Sequence, residues 1–281
     1  MKPILSLINI KKEFKQDLVL NDVSFDIPKG TIFAFLGSNG AGKSTLLNII
    51  MQILLPSSGK VLLNGLRVKK DKIGIVFQEN TFDEDLTIYE NMLIRGILYK
   101  IKKPALKTKI KEISNLLGLS DILNKKYKYC SGGQKRVAMI AKALVIDPEI
   151  IIMDEPTTAL DIETRKRLWD FLKKLNKEKN LTIFFTTHYI EEAQNASNLA
   201  ILNNGKIVFK GTYQKLINNF SKLNLIVNYN GLILKKQTSS VQNALAYLNS
   251  LDYQKINTFS LKNSNLEEIF IKLVNNAYIN I

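Results

Sequence analysis

Hydrophobic positions along this chain alternate between two periods. Residues 4–10 and 19–27 are rich in β-branched and apolar residues, and Pro28-Lys29-Gly30 closes the second run as a turn, so both are predicted strands. Thr31 to Leu36 is almost wholly apolar, the pattern of a strand buried on both faces. It leads into a glycine-rich loop, Gly37 to Gly42, and a helical stretch from Lys43 that Pro56-Ser57-Ser58-Gly59 is expected to break. Val61 to Gly65 reads as a short strand with a turn. Leu106, Ile110, Ile113 and Leu117 recur at helical spacing, with Gly118 as the stop. Ile150 to Met153 is a second strand of the buried type. A helix over 162–176 is predicted to turn Leu168, Phe171, Leu172 and Leu175 inward, and Leu181 to Thr187 is the next strand. Strand, crossover helix, strand is the unit of a parallel sheet, so the fold class is α/β.

After Gly211 the pattern changes. Leu223 to Tyr229, Asn230-Gly231 and Leu232 to Leu234 read as a hairpin, because Asn-Gly suits a tight primed turn. Val241, Ala244, Leu245 and Leu248 share the face of a short helix. Ser264-Asn265-Leu266-Glu267 has the form of a capping box that opens a last helix carrying Leu266, Ile269, Phe270 and Leu273. Two domains are therefore expected, 1–212 and a small α/β appendage, 213–281.

Composition narrows the chemistry. Of 281 residues 46 % are apolar and 23 % charged, enough to build a core. A single cysteine, Cys130, rules out an internal disulfide, and a single histidine, His188, rules out a multi-histidine metal site. A net charge of +15 points to an anionic partner: nucleotide, nucleic acid or lipid headgroup. No apolar run approaches the ~18 residues that cross a bilayer, and the start lacks a secretion signal, so a soluble cytosolic chain is expected.

Gly37-Ser38-Asn39-Gly40-Ala41-Gly42-Lys43-Ser44 fits G-x-x-x-x-G-K-[ST], between a buried strand and a helix as that motif requires. Its glycines let main-chain N–H groups turn inward around phosphate oxygens, and the helix adds its positive end. Lys43 is placed to reach the outer phosphates and Ser44 to bind Mg²⁺. Strand 150–153 ends in Asp154-Glu155, where ligands sit in open α/β sheets. Asp154 is suited to hold Mg²⁺ through water, and Glu155 to act as general base on an attacking water.

Tyr129-Cys130-Ser131-Gly132-Gly133-Gln134, twenty residues before Asp154-Glu155-Pro156, resembles the signature loop of ATP-binding cassette (ABC) proteins. The ordered set of phosphate loop, signature and acidic strand covers roughly residues 4–212. The resemblance implies a mixed sheet core with a β-subdomain and a helical subdomain at about 85–145. It implies ATP held by residues 37–45, from Gly37 to Thr45, with Phe14 stacking on adenine. Gln78 then takes the position of a Mg²⁺ ligand, Asp161 that of a loop crossing a dimer interface, and His188 that of the switch histidine at the γ-phosphate. Catalytic roles fall to Lys43, Glu155 and His188. One departure stands out: the signature opens with Cys130 where the family has leucine, which loosens the packing expected beneath the loop.

In that family each ATP lies between the phosphate loop of one subunit and the signature of another, Ser131 to Gln134. This chain has one of each and so implies a second cassette subunit, identical or not. Lacking a span, it also implies a separate transmembrane permease and a peripheral place at the cytoplasmic face of the membrane. Leu86-Thr87-Ile88-Tyr89-Glu90-Asn91 and Leu266-Glu267-Glu268-Ile269-Phe270 are similar to segments of the branch that exports drugs, lipids and polysaccharides. The alternative is an ATPase acting on nucleic acid, or a regulatory cassette. Chromosome-type relatives insert long coiled coils between phosphate loop and signature, and the 88 residues from Lys43 to Ser131 leave no room for one. Lys100 to Lys142 carries twelve Lys/Arg against Glu112 and Asp121, a basic stretch suited to anionic lipid headgroups.

Overall fold

The first thirty residues fold back on themselves. β1 (Pro3–Phe14) pairs antiparallel with β2 (Asp17–Pro28), burying Ile4, Leu5, Leu7 and Ile10 with Leu20, Val23, Phe25 and Ile27. In this computed structural model, which describes residues 2–158, 160–264 and 266–276, the next strand is β3 (Ile32–Gly37), buried at every position. It feeds α1 (Lys43–Ile50). That helix stops well before Pro56: Gln52 enters the left-handed region at φ 56° and donates its side-chain N–H to the Val68 carbonyl at 3.0 Å. Gln52, not the Pro-Ser-Ser-Gly run, ends it.

β4 (Ser58–Leu63) and β5 (Leu66–Arg67) turn at Asn64-Gly65, both at positive φ, and complete a four-stranded sheet in the order β2-β1-β4-β5. Then come β6 (Ile73–Val76), α2 (Ile88–Leu98), α3 (Lys103–Leu116), α4 (Gly132–Leu144), β7 (Ile150–Met153), α5 (Ile162–Lys179), β8 (Thr182–Thr187), β9 (Asn198–Asn203) and β10 (Lys206–Gly211). The second sheet runs β10-β9-β3-β8-β7-β6, with β9, β3, β8, β7 and β6 mutually parallel. Phe25 from the first sheet stacks on Phe33 and Phe35 of the second, ring centroids 5.5 Å apart in each case, so the core lies between the sheets. On α3 the expected face is buried and Gly118 at φ 63° ends it. On α5, Phe171 stays partly exposed, and Trp169, absent from the predicted face, is buried edge-on against Phe185. Among the described residues no helix is long and apolar enough to cross a membrane.

Residues Met1–Lys210 form one compact unit and Gly211–Ile281 a second. The second contains α6 (Tyr213–Phe220), β11 (Leu223–Tyr229), β12 (Leu232–Thr238), α7 (Val241–Asn249), β13 (Ile256–Asn263) and α8 (Leu266–Asn276). Its antiparallel sheet, β12-β11-β13, turns at Asn230-Gly231, φ 50° and 80°. α7 faces inward through Ala244 and Leu248, whereas Val241 and Leu245 are about half exposed. Asn265 of the expected capping box lies outside the described residues. The Ser264 hydroxyl donates to the Lys222 carbonyl at 3.0 Å and so ties β13 to the start of β11.

Gly59 shows how tightly β1 and β4 meet. Its φ is +88°, and a Cβ there would stand 2.3 Å from the Asn9 carbonyl oxygen and 2.5 Å from that of Ile8, both backbone atoms that cannot give way. Gly59→Ala is therefore expected to destabilise the chain by ~2 kcal/mol or more, read as a lowered Tm.

Candidate functional site

Parallel register sets the site. Leu36 pairs with Thr187 across β3 and β8, and Met153 with Phe185 across β7 and β8, so Gly37, Asp154 and His188 emerge at one edge of the sheet. An open cleft of about 490 Å³ lies there. Ser38, Asn39, Gly40, Gly42, Lys43, Ser44 and Thr45 line it, opposite Gln78, Glu155 and His188.

The loop is shaped by glycine where a side chain could not stand. Gly42 has φ +105°, and a Cβ on it would come within 2.9 Å of Leu20 and 3.0 Å of the Val19 carbonyl. Gly42 also caps α1, with no side-chain hydrogen bond and no acid in the first turn, which leaves the helix's positive end to a ligand. Lys43 is 6 % exposed and folds back, its Nζ donating to the carbonyls of Gly37 at 2.7 Å and Ser38 at 3.1 Å. Burial pushes the ammonium below the usual lysine range, while Glu155 and then Asp154 pull it up. A cation this desolvated is placed for a polyanion.

Glu155 takes a positive φ of 43°, which turns its carboxylate toward the cleft. Its N–H donates to Thr186 Oγ1 at 3.1 Å, its Oε2 accepts from the Thr158 hydroxyl at 3.1 Å, and its Oε1 lies 3.0 Å from His188 Nδ1. Asp154 sits behind it, accepting from the Thr186 hydroxyl, and burial pushes its carboxyl up against the pull of that hydrogen bond. Thr158, Thr186 and Tyr189, whose ring lies 3.9 Å from that of His188, carry no sequence signal by which they could be singled out.

Arg136 is another residue that the sequence does not single out. Buried on α4, it donates from Nε to the Pro156 carbonyl, from Nη1 to that of Phe77 and from Nη2 to that of Asp154, at 2.7, 2.7 and 2.8 Å. Burial brings its pKa down to about 10, so it keeps its charge at neutral pH. One guanidinium thus fixes the ends of β6 and β7, the strands that present Gln78 and Glu155.

The remaining predicted residues lie elsewhere. Phe14 ends β1, its ring 43 % exposed with Lys12 Nζ 4.8 Å from the centroid; from this hairpin it is Val19 that lines the cleft. Ser131 caps α4 in a box with Gln134, accepting from the Gln134 N–H at 3.3 Å while its own N–H donates to the Gln134 side chain at 3.0 Å. Gly132 is open to space. A Cβ on Gly133 would stand 2.5 Å from Thr164, and Thr164 donates to Asp161, the N-cap of α5, so the first turns of α4 and α5 are in contact. Ala159, beside Asp161, lies outside the described residues. Cys130 is 8 % exposed, and burial pushes its thiol up, which makes it packing and not a nucleophile.

The segment after Gln78 is clamped to α4. Lys142 donates to the Thr81 carbonyl and lies 4.6 Å from the Phe82 centroid; Phe82 stacks on Tyr127 at 4.4 Å, and Lys135 lies 5.2 Å from the Tyr127 centroid. Two lysines on one helix face thus bracket an aromatic pair.

The ABC transporter family model matches residues 20–158. The Nod factor export ATP-binding protein I of Rhizobium johnstonii is 36 % identical over 220 residues, 76 % of this chain and 70 % of that protein. A molybdate/tungstate import ATP-binding protein of Pyrococcus abyssi is 34 % identical over 222 residues, 77 % of this chain and 64 % of that protein. Among solved structures, an ATP-binding cassette dimer in a post-hydrolysis state, bound to ADP and Pi, is 30 % identical with a TM-score of 0.66, covering 74 % of this chain and 98 % of that one.

Burial, and then the Arg95 charge, bring Lys142 down to about 8 from an ordinary 10.5. Between those values the unfolded chain holds a proton that the folded chain has released, so this group makes stability rise with pH across that window. Urea midpoints at pH 8 and pH 10 are expected to show that rise in the wild type and a smaller one in Lys142→Met; parallel behaviour would contradict it.

Proposed function

This chain belongs to the ABC transporter family of ATP-binding subunits, which are ATPases coupled to transport, and from that premise we propose that it drives export through a separate transmembrane permease. The observation that carries the catalytic part is the junction of Lys43, Glu155 and His188 at one cleft. The triphosphate lies along residues 37–45, and Lys43 leaves the carbonyls of Gly37 and Ser38 for the outer phosphates. Adenine stacks on Phe14, beside the strand whose Val19 lines the cleft. Glu155 accepts the proton of the attacking water, and His188, bonded to it through Nδ1, holds it in place.

The donors near the loop also suit Mg²⁺. Ser44 and Gln78 line the cleft, with Asp154 behind, giving hard oxygen donors with one carboxylate for an ion that keeps waters and phosphate oxygens. When bound, the ion offsets charge on the outer phosphates.

Ser131, Gly132, Gly133 and Gln134 are absent from the residues that line this cleft, and they cap a helix whose first turn carries no acid. We assign them to the ATP of a second cassette subunit, with Asp161 at the seam. The export lean rests on the resemblance of residues 86–91 to the exporter branch; in the fold Thr87 of that segment caps α2 in a full box with Glu90. The Nod factor export relatives support that lean too, although import proteins of similar identity also match. On this reading the cassette spans 1–212, its helical part about 85–145, and 213–281 is an appendage.

Lipid headgroups remain a further proposed contact of the basic stretch, with a narrower base than its composition suggests. Arg136 and Lys142 turn inward, and Lys109, Lys128 and Lys135 pair with Asp147, Asp85 and Glu84. Salt-sensitive binding to anionic vesicles is the expected result; binding that is absent, or indifferent to salt, contradicts it.

Glu155→Gln is expected to bind ATP and stay closed as a dimer while turnover falls ~10²-fold or more. Turnover at the wild-type rate in that variant would overturn Glu155 as the base.

A further inference from the structure

A buried carboxylate outside the cleft closes a ring of contacts around it. Glu192 belongs to the short turn Ile190–Asn195 that follows His188-Tyr189, and it is 3 % exposed. Its Oε1 accepts from the hydroxyl of Thr157, itself 1 % exposed, and lies 4.0 Å from Arg165 Nε. Among the described residues its Oε2 has no hydrogen-bond partner.

From Thr157 the chain runs one residue to Thr158, whose hydroxyl donates to Glu155. Arg165 lies on the first turns of α5, where its N–H donates to the Asp161 carbonyl at 2.9 Å, and its guanidinium lies 5.5 Å from the Tyr189 centroid. Tyr189 packs on His188, and His188 returns to Glu155 at 3.0 Å. The circuit thus passes from Glu155 through Thr157, Glu192, Arg165 and Tyr189 to His188.

A carboxylate is a costly way to fill a core position, and a half-satisfied buried ion pair costs more than apolar packing. What it supplies is a fixed separation. Glu192 lies on the segment that carries His188, and both of its partners, Thr157 and Arg165, lie on the segment that follows Glu155, so it pins one to the other. A misplacement of about 1 Å between reacting groups is enough to cost ~10²-fold in rate.

We propose that Glu192 is a positioning residue for ATP hydrolysis: through Thr157 and Arg165 it sets the separation of the Glu155 carboxylate and the His188 imidazole. It acts on neither nucleotide nor water. The proposal rests on Glu155 as the base and adds a residue that the motifs do not mark. Arg165 lies one helical turn after Asp161, the N-cap of α5, so the same contacts end beside the loop proposed to cross to a second subunit.

The chain's one histidine makes the test direct, since a single imidazole signal reports on His188. Thr157→Val and Glu192→Gln are expected to displace that signal in the full chain and to cut kcat for ATP by about tenfold or more, with KM within about twofold. Trp169→Phe, a packing change on the same α5, is expected to lower Tm while signal and kcat stay put. Should Glu192→Gln fold poorly, Thr157→Val and Arg165→Lys carry the same comparison. An unmoved imidazole signal with kcat within about twofold, or a loss confined to KM, overturns the proposal. If Glu155→Gln also keeps wild-type turnover, the assignment of the base has failed; if Glu155→Gln is inactive while Glu192→Gln and Thr157→Val are fully active, only the positioning role has.

Discussion

One desolvated ammonium organises the nucleotide end of this fold. Lys43 is held under the carboxyl edge of a parallel sheet, close enough to Glu155 and Asp154 for both to oppose the effect of its burial. Three features make that placement possible: a strand buried on both faces, a Gly42 free to take φ +105°, and β3, β8 and β7 side by side in parallel register. With its hydrogen bonds directed to the carbonyls of its own loop, the ammonium is satisfied until a phosphate competes for it. Binding is therefore an exchange of partners for a charge already in place.

The parts legible in the sequence are those whose chemistry is local. A phosphate loop must be contiguous because successive main-chain amides face one ligand, and Asp154-Glu155 must follow an apolar strand because the sheet delivers them. Arg136, Thr186 and Glu192 were not legible, since each acts across a sequence separation that no periodicity encodes. Arg136 reaches the carbonyls of Phe77, Asp154 and Pro156, and nothing distinguishes it from the other basic residues of a basic stretch. The fold shows the same division. Buried strands and the Asn-Gly hairpin follow from composition, whereas the end of α1 depends on Gln52 finding the Val68 carbonyl, a contact with a distant strand connection. Val241 and Leu245 fit a helical face, yet they lie along one edge of it, and α7 packs through the other, Ala244 and Leu248, against Leu225 and Val227 of the sheet. α6 buries only Leu216 among its described residues, and so gives almost no pattern to read.

Rigid connections join the parts that must move together. Arg136 ties the strand ends below Gln78 and Glu155 to the helix that Ser131 caps. Gly133 brings that helix against Thr164, and Thr164 holds Asp161, so the two elements assigned to a second subunit are coupled within one chain. Lys135 and Lys142 hold the Phe82–Tyr127 pair to the same helix. A change at the cleft therefore has a path of hydrogen bonds and packing contacts to the elements proposed to meet a second cassette.

The claim on which this account rests is that one copy holds half of each catalytic site. ATP turnover per chain, measured against the chain's own concentration alongside its sedimentation, tests it most directly. The account predicts that turnover falls toward zero as the monomer comes to predominate. Undiminished turnover in a solution that sediments wholly as monomer would contradict it.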